Sequence, residues 1–484
     1  MELNELKPQI VFHYFNEICK VPRPSKKEEK IRAYLIAFAQ EKGLEYKVDD
    51  AGNVLIKKAA TPGYENRKCV ILQSHIDMVC EKNNDTVHNF ETDPIQTYVD
   101  GEWLKAKGTT LGADNGIGVA TELAILASDE IEHGPIECLF TVDEETGLTG
   151  AFALKEGFMS GDILLNLDSE DEGELFIGCA GGAGTTASFP CPMIKSPEGY
   201  FFFRVTVKGL TGGHSGDDIN KNRANANKLL NRYLMILSEK YDLYISEIDG
   251  GNLHNAIPRE AHAVCAVPMK DKESVRVDLN IFLSEVENEY SVTEPNIVFD
   301  LESETPMAEV MEKESMMKFI NSIHAVHNGV FAMSQDMEGL VETSSNLASI
   351  KMRDGQIVVV TSQRSSILSS RKDMSQTVRS AFQLGGASVT TGDGYPGWKP
   401  NPSSEILKIA VESYKKLFGV EPKIKAIHAG LECGLFLEKY PSLDMVSFGP
   451  TLRGVHSPDE RMLIPTVDKF WRHLLDVLKN VPSK

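Results

Sequence analysis

Three unbroken apolar runs in the first part of the chain constrain its fold most, because each of them stops on an acid. They read "KCVILQSHID", "IECLFTVDEE" and "DILLNLDSED", and they carry Asp77, then Asp143 with Glu144 and Glu145, then Asp168 at or just past their ends. Apolar runs without period-two alternation fit strands covered on both faces. Between the first two lies "NGIGVATELAILAS" (115–128), whose apolar spacing predicts a helix. Strands alternating with helices in this way predict an α/β fold with a mostly parallel sheet. In open parallel sheets a site forms in the crevice outside the carboxyl ends of the strands, which is where these acids fall.

The character changes after about residue 185. Segments such as "FFFRVTVKGLTGGHSGDDIN" (201–220), "AHAVCAVPM" and "SIKMRDGQIVVVTSQRSS" show turn-flanked, period-two patterning between helices, as expected of an antiparallel sheet in an α+β domain. "GDGYPGWKPNPSSE" (392–405) is dense in Gly and Pro and reads as a linker. Beyond it, "SEILKIAVESYKKLFG" is a helix and "LDMVSFGP" another buried strand. The predicted organisation is therefore a discontinuous α/β domain, residues 1–186 and 395–484, with an α+β domain, 187–394, inserted into it. Near the N-terminus, "KVPRPSKKEE" offers Ser25 as a helix cap with Glu28 three positions later.

Two histidines join the acids. His75 lies two residues before Asp77, and His456 follows the run "LDMVSFGP" in "SFGPTLRGVHSPDE". A further acid, Asp114, sits at a loop-to-helix junction in "GTTLGADNGIG". Each has a plainer reading when taken alone: a core hydrogen bond for His75 and Asp77, a helix cap for Asp114, a solvated turn for the "DEE" acids, a wet charge cluster for Asp168 and an ordinary loop for His456. Together they form an N/O donor set suited to zinc or a similar divalent ion, and burying so many carboxylates without a cation is costly. The arrangement fits two metals sharing one carboxylate, with Asp114 as the bridge. His75 and Asp168 then complete one metal, Glu145 and His456 the other. Asp77 can orient the His75 imidazole, and Glu144, beside Glu145, can serve as general base.

Bulk properties exclude other classes. Of the 484 residues, 70 are acidic and 50 basic, for a net charge of −20, which argues against nucleic acid or an anionic membrane as partner. No apolar run approaches the roughly 18 residues that a membrane-spanning helix needs, and no apolar segment follows a basic start as in a signal peptide. The eight cysteines form no CxxC pair, as expected of reduced thiols in the cytoplasm.

The segments "SHIDMV", "GTTLGADNGIGVA", "TVDEETGLTGA", "LNLDSE", "GLTGGHSGDDI", "YPGWKPNP" and "GPTLRGVHSPDE" resemble, in matching order over nearly the whole chain, the cytosolic aminoacyl-histidine dipeptidases of the co-catalytic zinc exopeptidases. The resemblance implies two Zn2+ per subunit, with Mn2+ or Co2+ able to use the same ligands: His75, Asp114, Glu145, Asp168 and His456. It implies Glu144 and Asp77 as catalytic auxiliaries, a dipeptide as substrate, and a homodimer whose inserted domain is lid and dimerisation surface. It also implies that His214 of "GGHSG" stabilises the oxyanion across the dimer. Asn255, Gly430 and Glu432 are expected to line the substrate site, and Arg364, as a guanidinium fork, to bind the substrate's C-terminal carboxylate. Two alternatives stay open: a tripeptidase or N-acyl amino acid deacylase of the same architecture, and a non-catalytic peptide-binding protein.

Overall fold

The computed structural model describes residues 3–484, which separate into two compact units. The first comprises residues 3–178, 400–426 and 431–484; the second comprises 179–399 and 427–430. The unit boundaries therefore fall at 178/179 and 399/400, whereas the composition shifts had suggested 186/187 and 394/395. The short return of 427–430 to the inserted unit is invisible to composition.

The first unit is built on an eight-stranded sheet ordered 45–48, 54–58, 136–141, 70–75, 163–166, 444–447, 174–179, 423–427. Its four central strands, from 136–141 to 444–447, are mutually parallel. Antiparallel pairing flanks them on both sides. The hairpin at one edge shows why. The turn between Val48 and Val54 is too short for a parallel crossover, and Asp49 Oδ1 closes it by accepting from the amides of Ala51, Gly52 and Asn53. Every residue of Val70–His75, Ile136–Thr141 and Ile163–Asn166 is buried, so these strands are covered on both faces. The helix Ala113–Ala127 packs on strand Val70–His75, and helix Gln9–Cys19 packs on that helix.

The C-terminal helix Ile464–Lys479 carries Pro465 in its first turn, where the missing N–H costs nothing. It buries Val467, Phe470, His473, Leu474, Val477 and Leu478, a stripe at helical spacing. Helix Glu405–Phe418 packs against it and against strand Asp444–Ser447. The Ser404 hydroxyl caps that helix by accepting from the Leu407 amide, and Gly419, at φ 73°, ends it. A small four-stranded sheet pairs Leu452–Arg453, Arg461–Leu463, Trp103–Ala106 and Thr97–Asp100. The loop between its first two strands carries His456.

The second unit is a nine-stranded sheet, antiparallel in its pairings. One face is packed by helices Ala226–Lys240, Lys272–Glu289, Lys313–Ala325 and Leu368–Leu384 over a core that includes Phe203, Tyr233, Phe282, Phe319 and Phe382. The alternating burial along Gly181–Pro190 and Tyr200–Lys208 is the sequence periodicity made physical.

Two local readings are corrected. Residues 392–399 are not a free linker: Gly392 N donates to Gly184 O, Tyr395 pairs with Gly182 and Trp398 with Cys179. Gly and Pro there shape a strap that runs on along the strand Gly181–Pro190, past its partner Ser388–Thr391. Ser25 is not a helix cap either. The helix begins at Glu29 with no side-chain cap, and the Ser25 hydroxyl instead donates to Asp77 Oδ2 at 2.7 Å. Donating to a buried carboxylate makes a charge-assisted hydrogen bond, whereas water can satisfy the N–H groups that a cap would serve at an exposed helix start. Six of the eight cysteines are buried. Among the described residues, no helix is long and apolar enough to cross a membrane.

Candidate metal centre

At the carboxyl end of the central strands of the first unit, Asp114 stands between two imidazoles. His75 Nε2 is 3.1 Å from Asp114 Oδ1, and His456 Nε2 is 3.1 Å from Asp114 Oδ2. His75 Nε2 also lies 3.4 Å from Asp168 Oδ1, and His456 Nε2 lies 3.1 Å from Glu145 Oε2. The five residues thus fall into two half-sites that share one carboxylate. His75 ends a strand, Asp168 follows the neighbouring strand, and Glu145 is the second residue of the short helix Glu144–Gly147 after a third. Asp143 takes a left-handed backbone, φ 51°, between the strand Ile136–Thr141 and that helix. Its carboxylate accepts from the hydroxyls of Thr146 and Thr149, which holds the unusual turn in place.

Asp77 sits behind the half-sites, fully buried. Its Oδ1 is 3.3 Å from His75 Nδ1 and accepts from the Glu144 amide at 3.1 Å; its Oδ2 accepts from the Glu145 amide at 3.2 Å. One carboxylate therefore orients an imidazole and the backbone of both glutamates. Arg23, missed in the sequence, donates from Nη1 to the carbonyls of Ile76 and Asp77. Glu432 is buried beside this group, with Oε2 accepting from Gln73 Nε2 at 2.6 Å and Thr141 Oγ1 at 2.9 Å.

The charges are mutually strained. Burial pushes Asp168 up to about 6 and Glu432 up to about 8, against the pull of His75. Burial, joined by the nearby carboxylates of Asp168, Glu432 and Glu145, pushes Glu144 well above the usual carboxylate range, against His75. Burial would raise Asp114 too, but hydrogen bonds from His456 and His75 hold it below the ordinary value. Hydrogen bonds to Asp114 and Glu145 push His456 up to about 11. In the protein alone, then, protons favoured on His456 and on the raised carboxylates offset the crowded negative charge. A divalent cation would do so with neutral imidazoles, and the donor set fits one. His75, Asp114 and Glu145 each offer an atom within 4.8 Å of the others, and Glu145 Oε1 is buried without a hydrogen-bond partner. A second acidic group, Glu28, Asp77 and Asp143, meets the same distance test. Its oxygens, however, are taken by Ser25 and by the amides of Lys26, Asp143, Glu144 and Glu145.

The other predicted residues lie in the second unit. His214 and Ala256 pair across a two-residue ladder, which puts Asn255 next to it in register, and the Asn255 carbonyl accepts from Ser215 N at 2.8 Å. His214 Nε2 is 3.4 Å from Arg364 Nη2, and Arg364 Nη1 donates to Tyr395 Oη at 3.2 Å. Gly430 packs so close that an added Cβ would lie 2.8 Å from the Tyr395 ring. His428, which the sequence reading passed over, is 2.7 Å from Ser344 Oγ; burial, aided by the Arg364 charge, pushes it down to about 3. Its place two residues before Gly430 in "IHAGLECG" was the available signal.

Residues 71–480 match the model of Peptidase family M20/M25/M40. The chain is 44% identical over 483 residues to the cytosol non-specific dipeptidase of Escherichia coli (strain K12), covering 100% of both. The crystal structure of aminoacylhistidine dipeptidase from Vibrio alginolyticus superposes with a TM-score of 0.94 at 47% identity, covering 100% of this chain and 99% of that one. An aminopeptidase PepT structure from Bacillus cereus, at 16% identity and a TM-score of 0.59 over 98% of this chain and 99% of that one, shares the fold. With four metal-suited side chains closed around Asp114 and these full-length likenesses, the chain belongs to peptidase family M20/M25/M40.

Proposed function

We propose that this protein is a cytoplasmic dipeptidase that uses two divalent cations, of which zinc is the first choice, held by His75, Asp168, Glu145 and His456 with Asp114 shared between them. The observation that carries the reading is the placement of Asp114, one oxygen 3.1 Å from each imidazole. The dipeptidase names of the E. coli and V. alginolyticus relatives support the substrate class. When bound, such cations polarise the scissile carbonyl and make a water nucleophilic at neutral pH.

The chain's own groups do the rest. Glu144, held by its amide on Asp77, takes the proton of the attacking water and returns it to the departing amine. Asp77 keeps the His75 ring in its orientation. In the inserted unit, Arg364 is the group for the peptide's C-terminal carboxylate, and His214 for the oxyanion. Asn255, Gly430 and Glu432 are read as residues bordering the peptide. Dimerisation through the inserted unit belongs to the same reading, and a molar mass by light scattering tests it.

An assay panel of β-Ala-His, other Xaa-His peptides, further dipeptides, tripeptides and N-acyl amino acids tests the activity. Hydrolysis of dipeptides, lost with a chelator and restored by zinc, is the expected result. Turnover of N-acyl amino acids or tripeptides alone would overturn it.

A further inference from the structure

Glu460 has no role in the reading above, yet it is the most heavily engaged carboxylate near the centre. Its side chain is buried, and it gathers four consecutive backbone N–H groups. Oε2 accepts from Leu111 at 2.7 Å and Gly112 at 2.9 Å; Oε1 accepts from Ala113 at 2.8 Å and Asp114 at 3.3 Å. A chain curls around an anion in this way only if some residue adopts a left-handed backbone, and Gly112, at φ 68°, supplies it. On the other side of the same turn, Arg23 Nη2 donates to the Gly112 carbonyl, and an added Cβ at Gly112 would lie 2.6 Å from that nitrogen.

We propose that Glu460 is a positioning residue for metal binding: it fixes the loop of Asp114 against the loop of His456, so that the shared carboxylate presents one oxygen to each half-site. The inference rests on reading Asp114 and His456 as ligands. Glu460 lies four residues after His456, just before the strand Arg461–Leu463 that closes the His456 hairpin. It accepts from the amide of Asp114 itself. Any displacement of Glu460 is therefore passed to two ligands at once, in a donor set that tolerates only about 0.2 Å of error in each ligand distance. Arg23 acts in parallel, joining the Asp114 loop to the carbonyls of Ile76 and Asp77.

The test is Glu460→Gln, in which an amide nitrogen faces two N–H donors and the loop must retreat. Glu137→Gln is the control, because Glu137 is equally buried and accepts from three donors, Ser160 N, Ser160 Oγ and Gly161 N, away from the centre. Zinc affinity is read by competition with a chromophoric chelator, and melting temperature is read for metal-free and zinc-loaded protein. For Glu460→Gln the zinc dissociation constant is expected to rise about 10- to 100-fold, and the gap between the two melting temperatures to shrink. Glu137→Gln is expected to lower both melting temperatures together and leave zinc affinity at the wild-type level. A Glu460→Gln protein that behaves like Glu137→Gln overturns the proposal. If Glu460→Gln does not fold, the same measurement is made on Glu460→Asp, whose shorter arm draws back from the four amides; wild-type zinc affinity there overturns it equally. Absence of zinc binding by the wild type, or full zinc binding by His456→Ala, would instead remove the metal-centre reading on which the proposal stands.

Discussion

His456 Nε2 stands 3.1 Å from Asp114 Oδ2, although 342 residues separate the two in sequence. The side chain of His456 is half exposed, and its backbone has φ 60°, a conformation that disfavours any residue with a Cβ. A loop held in that state at a carboxylate shared with His75 has a use beyond folding. Asp114→Asn keeps the shape and removes the charge that both imidazoles face. Zinc per chain, by elemental analysis, is expected to fall below two, and kcat/KM to fall by about 10²-fold or more, the equivalent of several kcal/mol of charge stabilisation.

Glu144→Gln separates proton transfer from metal binding. Glu145 and the other four candidate ligands are untouched, so zinc content is expected to stay at the wild-type level. Turnover is expected to fall about 10²- to 10⁴-fold. Unchanged turnover would remove Glu144 from the mechanism.

Asp77→Asn has a different signature. The carboxylate accepts from Ser25 Oγ and from the amides of Glu144 and Glu145, and it faces His75 Nδ1. An amide presents a donor to part of that set. Zinc affinity is expected to weaken about 10- to 100-fold, with kcat at saturating zinc less affected than in Glu144→Gln. Equal loss in both variants at saturating zinc would refute the distinction.

Stability should fall on acidification through a group far from the chemistry. His473 is buried, its Nε2 donates to Ala410 O at 2.8 Å, and burial pushes it down to about 4. Unfolded, the imidazole titrates near its ordinary value of 6.5. Between those values the unfolded chain binds the extra proton, so the contribution is complete above pH 6.5 and is lost as pH falls toward 4. The full loss is about 3 kcal/mol. Urea unfolding of wild type and His473→Gln at pH 7.5 and 4.5 checks this; the variant, which keeps a donor for Ala410, is expected to lose less stability between the two conditions.

The ligand positions were legible in the sequence for a physical reason. Apolar runs mark buried strands, and a polar residue that ends such a run must face either water or a site. That logic reaches His75, Glu144, Glu145 and Asp168 as candidates, while Asp114, at a loop-to-helix junction, and His456, in a loop past a run, joined them only as parts of one donor set. It fails for residues whose partners are remote backbone groups. Arg23 holds carbonyls 53, 54 and 89 residues away, and Glu460 holds amides 346 to 349 residues away. Neither carries a local pattern, since a charged residue in a loop looks the same whether solvated or buried. Ser25 was misread for the same reason: spacing to Glu28 is visible in one dimension, and the distance to Asp77 is not. The parallel core was legible from unbroken apolar runs, whereas the antiparallel flanks depend on connection length, and the strap at 392–399 depends on the strand Gly181–Pro190 about two hundred residues earlier.

The strand Asp444–Ser447 lies inside the sheet, paired in parallel with Ile163–Asn166. Translation delivers it, and His456 after it, long after the strand it pairs with and the other four candidate ligands. From residue 168 until the strand at 444–447 is made, a growing chain thus carries four of its five candidate ligands with neither the strand beside Ile163–Asn166 nor the second imidazole. Order of emergence therefore leaves the candidate metal centre without its second imidazole until the strand beside Ile163–Asn166 has been made.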